Sequence, residues 1–353
     1  MYEILEVSVL FIISLLIVIK AADIFVDNVL KVGTAMGVSQ VLLGITAVAM
    51  GTSLPEYGSA LISSLSDIGS MGVGIVIGSN IWNLAGILGI AALITGNIKA
   101  DEKFIKRDGL MAVLVGIVLF GVMIAVFLTE SDIASKIGSV VMMLVFVLYL
   151  RILFNDQNKE IKEKHIEERI SEIKESIEID ENTPFFEKII KKRILKRKGK
   201  SLKLGDILYL LGGLIGIIIG CELLVHSATE LADIFGIPEI IIGLFLIGIT
   251  TSFPELVITV TSAVKGLHGM AIGNIIGTAA FNILIGVGIP AFIVTMPVDP
   301  VSLYFDAPYM IALYILVLIL VKHNGMKLTR STGLILVSLY ILYTILRLFV
   351  FNQ

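Results

Sequence analysis

Apolar and polar positions along this chain fall into long blocks rather than alternating residue by residue. Mainly apolar runs recur at about 5–33, 39–64, 70–96, 108–129, 132–154, 204–233, 237–264, 268–295, 302–322 and 330–350. A helix needs about 20 such residues to cross the hydrocarbon core of a bilayer, so the pattern predicts ten transmembrane helices. The one long polar stretch, 155–203, carries 14 Lys and Arg and 11 Asp and Glu, and it separates two sets of five spans. The expected organisation is a five-helix unit over 1–154, a charged linker over 155–203 and a second five-helix unit over 204–353. Within the linker, Ile166, Ile170, Ile173 and Ile177 recur at helical spacing among charges, which predicts an amphipathic helix lying on the membrane or on a partner helix. The chain starts Met-Tyr-Glu-Ile-Leu-Glu, with two acids and no basic residue ahead of the first run. That run is therefore expected to be a retained span rather than a cleaved secretory signal.

Composition agrees with a membrane protein. Of 353 residues 56% are apolar and 16% charged, and the mean hydropathy is +0.97. The net charge of −3 hides a segregated distribution, because the basic residues collect in a few connections between spans. Such clustering argues against nucleic acid as a partner and gives an orientation, since basic connections stay in the cytoplasm. Lys99, Lys103, Lys106 and Arg107 fall in one connection and Lys322, Lys327 and Arg330 in another, both on the linker's side; those near 65–69, 234–236 and 296–301 carry no Lys or Arg. Both termini are then expected outside and the linker in the cytoplasm. The single cysteine, Cys221, lies inside an apolar run, so the chain has no disulfide framework or cysteine metal site.

The two halves are related. Residues 21–89 align without gaps on 220–288 at a constant offset of 199. Gly37 falls on Gly236, Gly44 on Gly243, Thr52 on Thr251, Ser53 on Ser252, Pro55 on Pro254, Glu56 on Glu255, Gly74 on Gly273, Gly78 on Gly277, Asn83 on Asn282 and Gly89 on Gly288. Asp23 and Glu222, and Ser79 and Thr278, match in type. Five spans separate equivalent points, an odd number, so the repeats cross the membrane in opposite directions. The fold class expected is an all-α integral membrane protein of ten transmembrane helices in two inverted five-helix repeats. Transporters of this architecture hold their sites near the midplane on interrupted helices where the repeats meet.

The candidate chemistry lies in the interrupted spans. GTSLPE at Gly51 to Glu56 and TTSFPE at Thr250 to Glu255 each sit near the middle of an apolar run. Pro55 and Pro254 lack an amide hydrogen and free carbonyls one turn upstream. At membrane depth, irregular backbone is tolerated only against protein or a polar cavity. A carboxylate at the bilayer centre costs about 2.5–3.5 kcal/mol on insertion scales, and a bound cation would offset two of them. The partner segments, GIVIGSNIWN at Gly74 to Asn83 and GNIIGTAAFN at Gly273 to Asn282, put Ser79, Asn83, Thr278 and Asn282 on one side four residues apart. Carboxylates, hydroxyls and carbonyls are hard oxygen donors. Calcium takes roughly 6–8 of them in a flexible shell, and the same cluster could take sodium ions in turn.

The paired GTSLPE and TTSFPE motifs, the GSNIWN and GTAAFN segments after them and the five-plus-five layout resemble the sodium/calcium exchanger family within the calcium/cation antiporters. The resemblance covers nearly the whole chain apart from the linker. It implies that Glu56 and Glu255 bind calcium together with the carbonyls of Thr52 and Thr251, and that Ser53, Ser252, Ser79, Thr278, Ala49 and Gly248 contribute to sodium sites. Asn83 and Asn282 would line the site. Three departures stand out: Thr250 replaces a glycine, Ile75 replaces an asparagine that Asn274 keeps in the second repeat, and Asn282 replaces the aspartate of some potassium-dependent relatives. The linker is too short for the folded calcium-sensing domains of animal exchangers.

The function implied is secondary active antiport of sodium for calcium by alternating access, with Ca2+ and Na+ as transported ions, no cofactor, and membrane lipid as surroundings. A proton-coupled calcium antiporter is the nearest rival, because the same glutamates could release calcium on protonation. A passive cation channel is a second. No nucleophile and base pair stands out among the spans and the 4 His are scattered, which argues against an enzyme. His226 and Lys20 read as interfacial residues, Lys20 snorkelling or pairing with Asp23.

Overall fold

A computed structural model describes residues 2–35, 51–66, 68–100, 102, 104–162, 204–264, 266 and 268–351. The amphipathic helix expected at 166–177 and most of the linker lie outside the described residues, as do 36–50, the first part of span 2.

The protein is an all-α integral membrane protein with ten transmembrane helices in two inverted five-helix repeats. Span 1 is Tyr2–Ala35, and span 2 is described from residue 51, with a helix over Leu54–Leu65. Span 3 is Gly69–Thr95, span 4 Ile105–Thr129 and span 5 Asp132–Lys162. Span 6 is Leu204–Phe235. Span 7 is a bent pair, Glu239–Thr251 and Phe253–Val264, at 47°. Span 8 comprises His268–Leu284 and Gly288–Ile293 with a break between them. Span 9 is Ser302–His323 and span 10 is Arg330–Phe349.

Burial sorts the spans into a core and a rim. Spans 3 and 8 are 89% and 78% buried over their apolar windows, against 28% for spans 1, 6 and 10. The rim spans turn Leu16, Leu144, Leu208 and Leu334 outward, an apolar exterior that only a lipid surround makes favourable. Spans 1 and 6 run antiparallel, with Gly220 against Val18 and Gly213 against Phe25. This pair rests on span 2 through Cys221, whose Sγ lies 3.8 Å from the Pro55 carbonyl.

The connections segregate onto two faces, as alternating spans require. On one face, Ser70 donates to Glu239 at 3.4 Å and Thr295 to Asp132 at 2.8 Å. These join the start of span 3 to that of span 7, and the end of span 8 to the start of span 5. On the other face, Asn97–Lys99 (β1) pairs antiparallel with Lys327–Thr329 (β2). The connections carrying Lys99 and Lys327 are thus on one side, an arrangement the purely helical reading of the chain did not include.

Spans 3 and 7 touch backbone to backbone. A Cβ on Gly74 would lie 2.7 Å from the Ile240 carbonyl oxygen, and one on Gly78 would overlap the backbone of Leu244. Without apolar driving force between helices in lipid, such close approach is what packs them. Gly78→Ala should therefore destabilise the protein by about 1–3 kcal/mol through overpacking, read as a lower thermal unfolding midpoint in detergent. Gly121→Ala, where nothing lies within 4 Å, should hold or slightly raise the midpoint.

Candidate functional site

The helix breaks in spans 2 and 7 fall where the sequence places them. Ser53 (φ −87°, ψ 0°) precedes the helix that begins at Leu54, and Ser252 (φ −84°, ψ 11°) follows the half-helix that ends at Thr251. Pro55 occupies the first turn, where an amide hydrogen would have no intrahelical partner anyway. Glu56 and Glu255 thus lie in the first turns of their second half-helices. The positive end of each helix dipole favours a carboxylate there.

The two motifs meet by exchanging partners. Ser252 Oγ donates to Glu56 Oε1 at 2.8 Å, and Ser53 Oγ donates to Glu255 Oε1 at a longer 3.5 Å. Each serine, three positions before its own glutamate, reaches the glutamate of the other repeat. Glu56, Glu255, Ser53 and Ser252 are all fully buried. Thr52 adds a hydrogen bond to Glu255. Thr251 donates its hydroxyl to the Ile247 carbonyl at 2.8 Å. Thr250 likewise bonds back to Leu246 O at 2.6 Å, which turns its extra bulk against its own helix.

Span 3 closes one side. The Gly248 carbonyl lies 2.9 Å from Ser252 Oγ, whose single proton it shares with Glu56, and 3.3 Å from Ser79 Oγ, whose shorter bond is to Ile75 O at 2.7 Å. Asn83 and Asn282 are fully buried, and among the described residues neither amide oxygen nor nitrogen has a hydrogen-bond partner. Glu56 Oε2, Glu255 Oε2 and Thr278 Oγ1 are in the same condition. Buried polar atoms are nearly always paired, and leaving one unpaired costs about 1–3 kcal/mol, more for a charged group. Orphaned donors of hard oxygen, each with a counterpart at the repeat offset, fit a hard cation as ligand. Among the described residues there is no group of three or more His, Cys, Asp and Glu that could hold a metal.

Of the other residues singled out from the sequence, Ala49 lies outside the described residues. Glu222 is exposed on span 6 and Lys20 on span 1; His226, exposed, is 3.4 Å from Glu230. Sequence reasoning missed a polar row on span 2: Ser59 and Ser63 are fully buried, Ser59 beside the Cys221 thiol and Ser63 with no hydrogen-bond partner among the described residues. Their spacing of three and seven residues from Glu56 was the available signal. It also missed Asn80, which accepts a hydrogen bond from Tyr314 on span 9 at 2.9 Å and has only Ala279 at the equivalent position.

Comparison with known proteins places this arrangement. The family model described as "Sodium/calcium exchanger protein" matches residues 7–155 and 206–349, nearly all of the membrane-spanning sequence outside the linker. The chain belongs to the sodium/calcium exchanger family. As a member of that family it is a membrane transporter, a cation antiporter whose family exchanges Na+ and Ca2+. The sodium/calcium exchanger MaX1 of Methanosarcina acetivorans is 29% identical over 359 residues, covering 96% of this chain and 97% of its own length. The inner membrane protein YrbG of Escherichia coli is 29% identical over 336 residues, covering 95% of both chains. Among solved structures, the sodium-calcium exchanger NCX_Mj soaked with 10 mM Na+ and zero Ca2+ superposes with a TM-score of 0.59 at 26% identity, over 96% of this chain and 98% of that one.

Proposed function

We propose that this exchanger carries sodium inward down its gradient to drive calcium out, both ions using one central site built around Glu56 and Glu255. The observation that carries the reading is the exchange of partners between repeats, Ser252 to Glu56 and Ser53 to Glu255, which brings two carboxylates and their hydroxyls into one buried place. In this reading the two carboxylates and the carbonyls of Thr52 and Thr251 hold calcium. Ser53, Ser252, Ser79, Thr278, Ala49 and Gly248 supply sodium ligands, and Asn83 and Asn282 line the site. Two carboxylates balance one Ca2+ or two Na+, so occupancy by either ion excludes the other, and access alternates between the two faces. The units 1–154 and 204–353 then act as the two halves of one transporter joined by 155–203. The basic face of the molecule is cytoplasmic, with the linker on that side and both termini outside.

Sodium coupling is the choice over protons because neutral hydroxyls and carbonyls surround the carboxylates, and these are sodium ligands that a proton would not need. In sealed vesicles an imposed sodium gradient should drive radiolabelled calcium the opposite way, and a pH gradient at fixed voltage should not. Calcium flux that follows pH and ignores sodium would replace this reading by proton exchange. Flux that needs no counter-ion on the far face would make the protein a channel.

A further inference from the structure

The ribbon on the basic face places like charges against each other. Its register sets Asn97 opposite Thr329, Ile98 opposite Leu328 and Lys99 opposite Lys327. Ala100 N donates to Met326 O at 2.9 Å, so by the alternation of an antiparallel ladder Lys99 and Lys327 form the non-hydrogen-bonded pair, the type whose side chains lie closer. Ile98 and Leu328 are fully buried on one face of the ribbon, which sends both lysines out on the other. Like charges directly opposite are destabilising, and among the described residues no carboxylate pairs with either lysine. Glu102 is engaged by Lys106 at 2.8 Å and Asp108 by Arg107 at 2.7 Å. Lys99, Lys322, Lys327 and Arg330 are all exposed, and none of them is in an ion pair among the described residues. Arg330 opens span 10 and lies over Gly96, where a Cβ would stand 3.1 Å from its Cγ and Nε.

We propose that this ribbon is a binding site for the phosphate of an anionic phospholipid headgroup, held between Lys99 and Lys327 with Arg330 beside them. A bridging oxyanion turns the repulsion into charge-assisted hydrogen bonds, and the positive end of the span 10 helix dipole adds to the attraction. Depth selects a lipid over a dissolved anion. The ribbon begins two residues after span 3 ends at Thr95 and runs directly into span 10, which is headgroup level. Ile94, 51% exposed, and Leu334, 60% exposed, offer acyl chains an apolar surface below it. One strand comes from each repeat, so a headgroup bound here ties the two halves together.

The test uses the purified full chain in detergent, with phosphatidylglycerol or phosphatidylcholine added, read by native mass spectrometry and thermal unfolding. Phosphatidylglycerol should be retained and should raise the unfolding midpoint, while phosphatidylcholine and an equal concentration of inorganic phosphate should do neither. Lys99→Gln and Lys327→Gln should each weaken phosphatidylglycerol binding about fivefold and the double variant about 25-fold. Lys106→Gln, which removes a lysine already paired, should leave it unchanged. Lys327→Glu guards against a folding artefact: it gives Lys99 an opposite charge, so the midpoint in phosphatidylcholine should rise while the phosphatidylglycerol effect disappears. Equal response to the two lipids, a preference that survives the double variant, or a phosphate effect as large as the lipid's would each overturn the proposal.

Discussion

Replacing either motif glutamate by its amide should abolish sodium-driven calcium transport while leaving the protein folded. Glu56→Gln keeps the shape of the side chain and an oxygen to accept from Ser252, which is 2.8 Å away; only the charge is lost. A divalent ion in a buried site depends on that charge, and removing one member of a buried ionic contact costs about 3–5 kcal/mol. Calcium flux should therefore fall by roughly 100-fold or more in Glu56→Gln and in Glu255→Gln alike. Without calcium, the unfolding midpoint should hold or rise, because a carboxylate no longer has to be kept in a dry interior. Vesicle transport and thermal unfolding on the same preparations check both halves of the expectation. Transport lost together with the fold would point to a structural role for these residues.

The second large effect lies away from the site. Arg347, 2% exposed, donates from Nε to Asp306 at 3.1 Å, and its Nη2 lies 3.4 Å from Asp299. Asp306, fully buried, also accepts from Tyr343 at 3.0 Å and from Ser302 at 2.8 Å. The network fastens the start of span 9 to the end of span 10. Arg347→Met leaves a buried carboxylate without its counter-charge and should destabilise the protein by about 3–5 kcal/mol. Adding Asp306→Leu to that variant removes the uncompensated charge and should recover part of the loss, the rest remaining because the buried Tyr343 and Ser302 hydroxyls lose their acceptor. Thermal unfolding of the two variants in detergent gives the comparison. Calcium affinity of the folded fraction should stay at the wild-type value in both.

What could be read from the sequence follows from what repeats in it. The spans were legible because apolar runs are long: the run at 70–96 became Gly69–Thr95 and that at 302–322 became Ser302–His323. Span 5 was read eight residues short of its end at Lys162. Hydropathy stops at the membrane edge, whereas the mostly polar stretch from Asn155 to Lys162 continues the helix beyond it. The motif glutamates were legible because each occurs twice at one offset, in surroundings where a carboxylate is costly. That they exchange serine partners was not, because sequence carries no distance between residues 196 or more positions apart. The Asp306 and Arg347 pair has no counterpart at the repeat offset, where Arg107 and Leu148 stand, so self-comparison passed over it. The three-residue strands of the ribbon are too short to impose any periodicity, and only their pairing reveals that Lys99 faces Lys327.

The idea on which the account rests is that one ion is shared by a carboxylate from each repeat. Calorimetric titration of calcium into sodium-free protein, repeated at rising sodium, addresses it directly. The account predicts a single calcium per chain, displaced competitively by sodium, and no measurable calcium binding in either Glu56→Gln or Glu255→Gln. Two calcium ions per chain, or one variant that keeps wild-type affinity while the other loses it, would contradict a shared site.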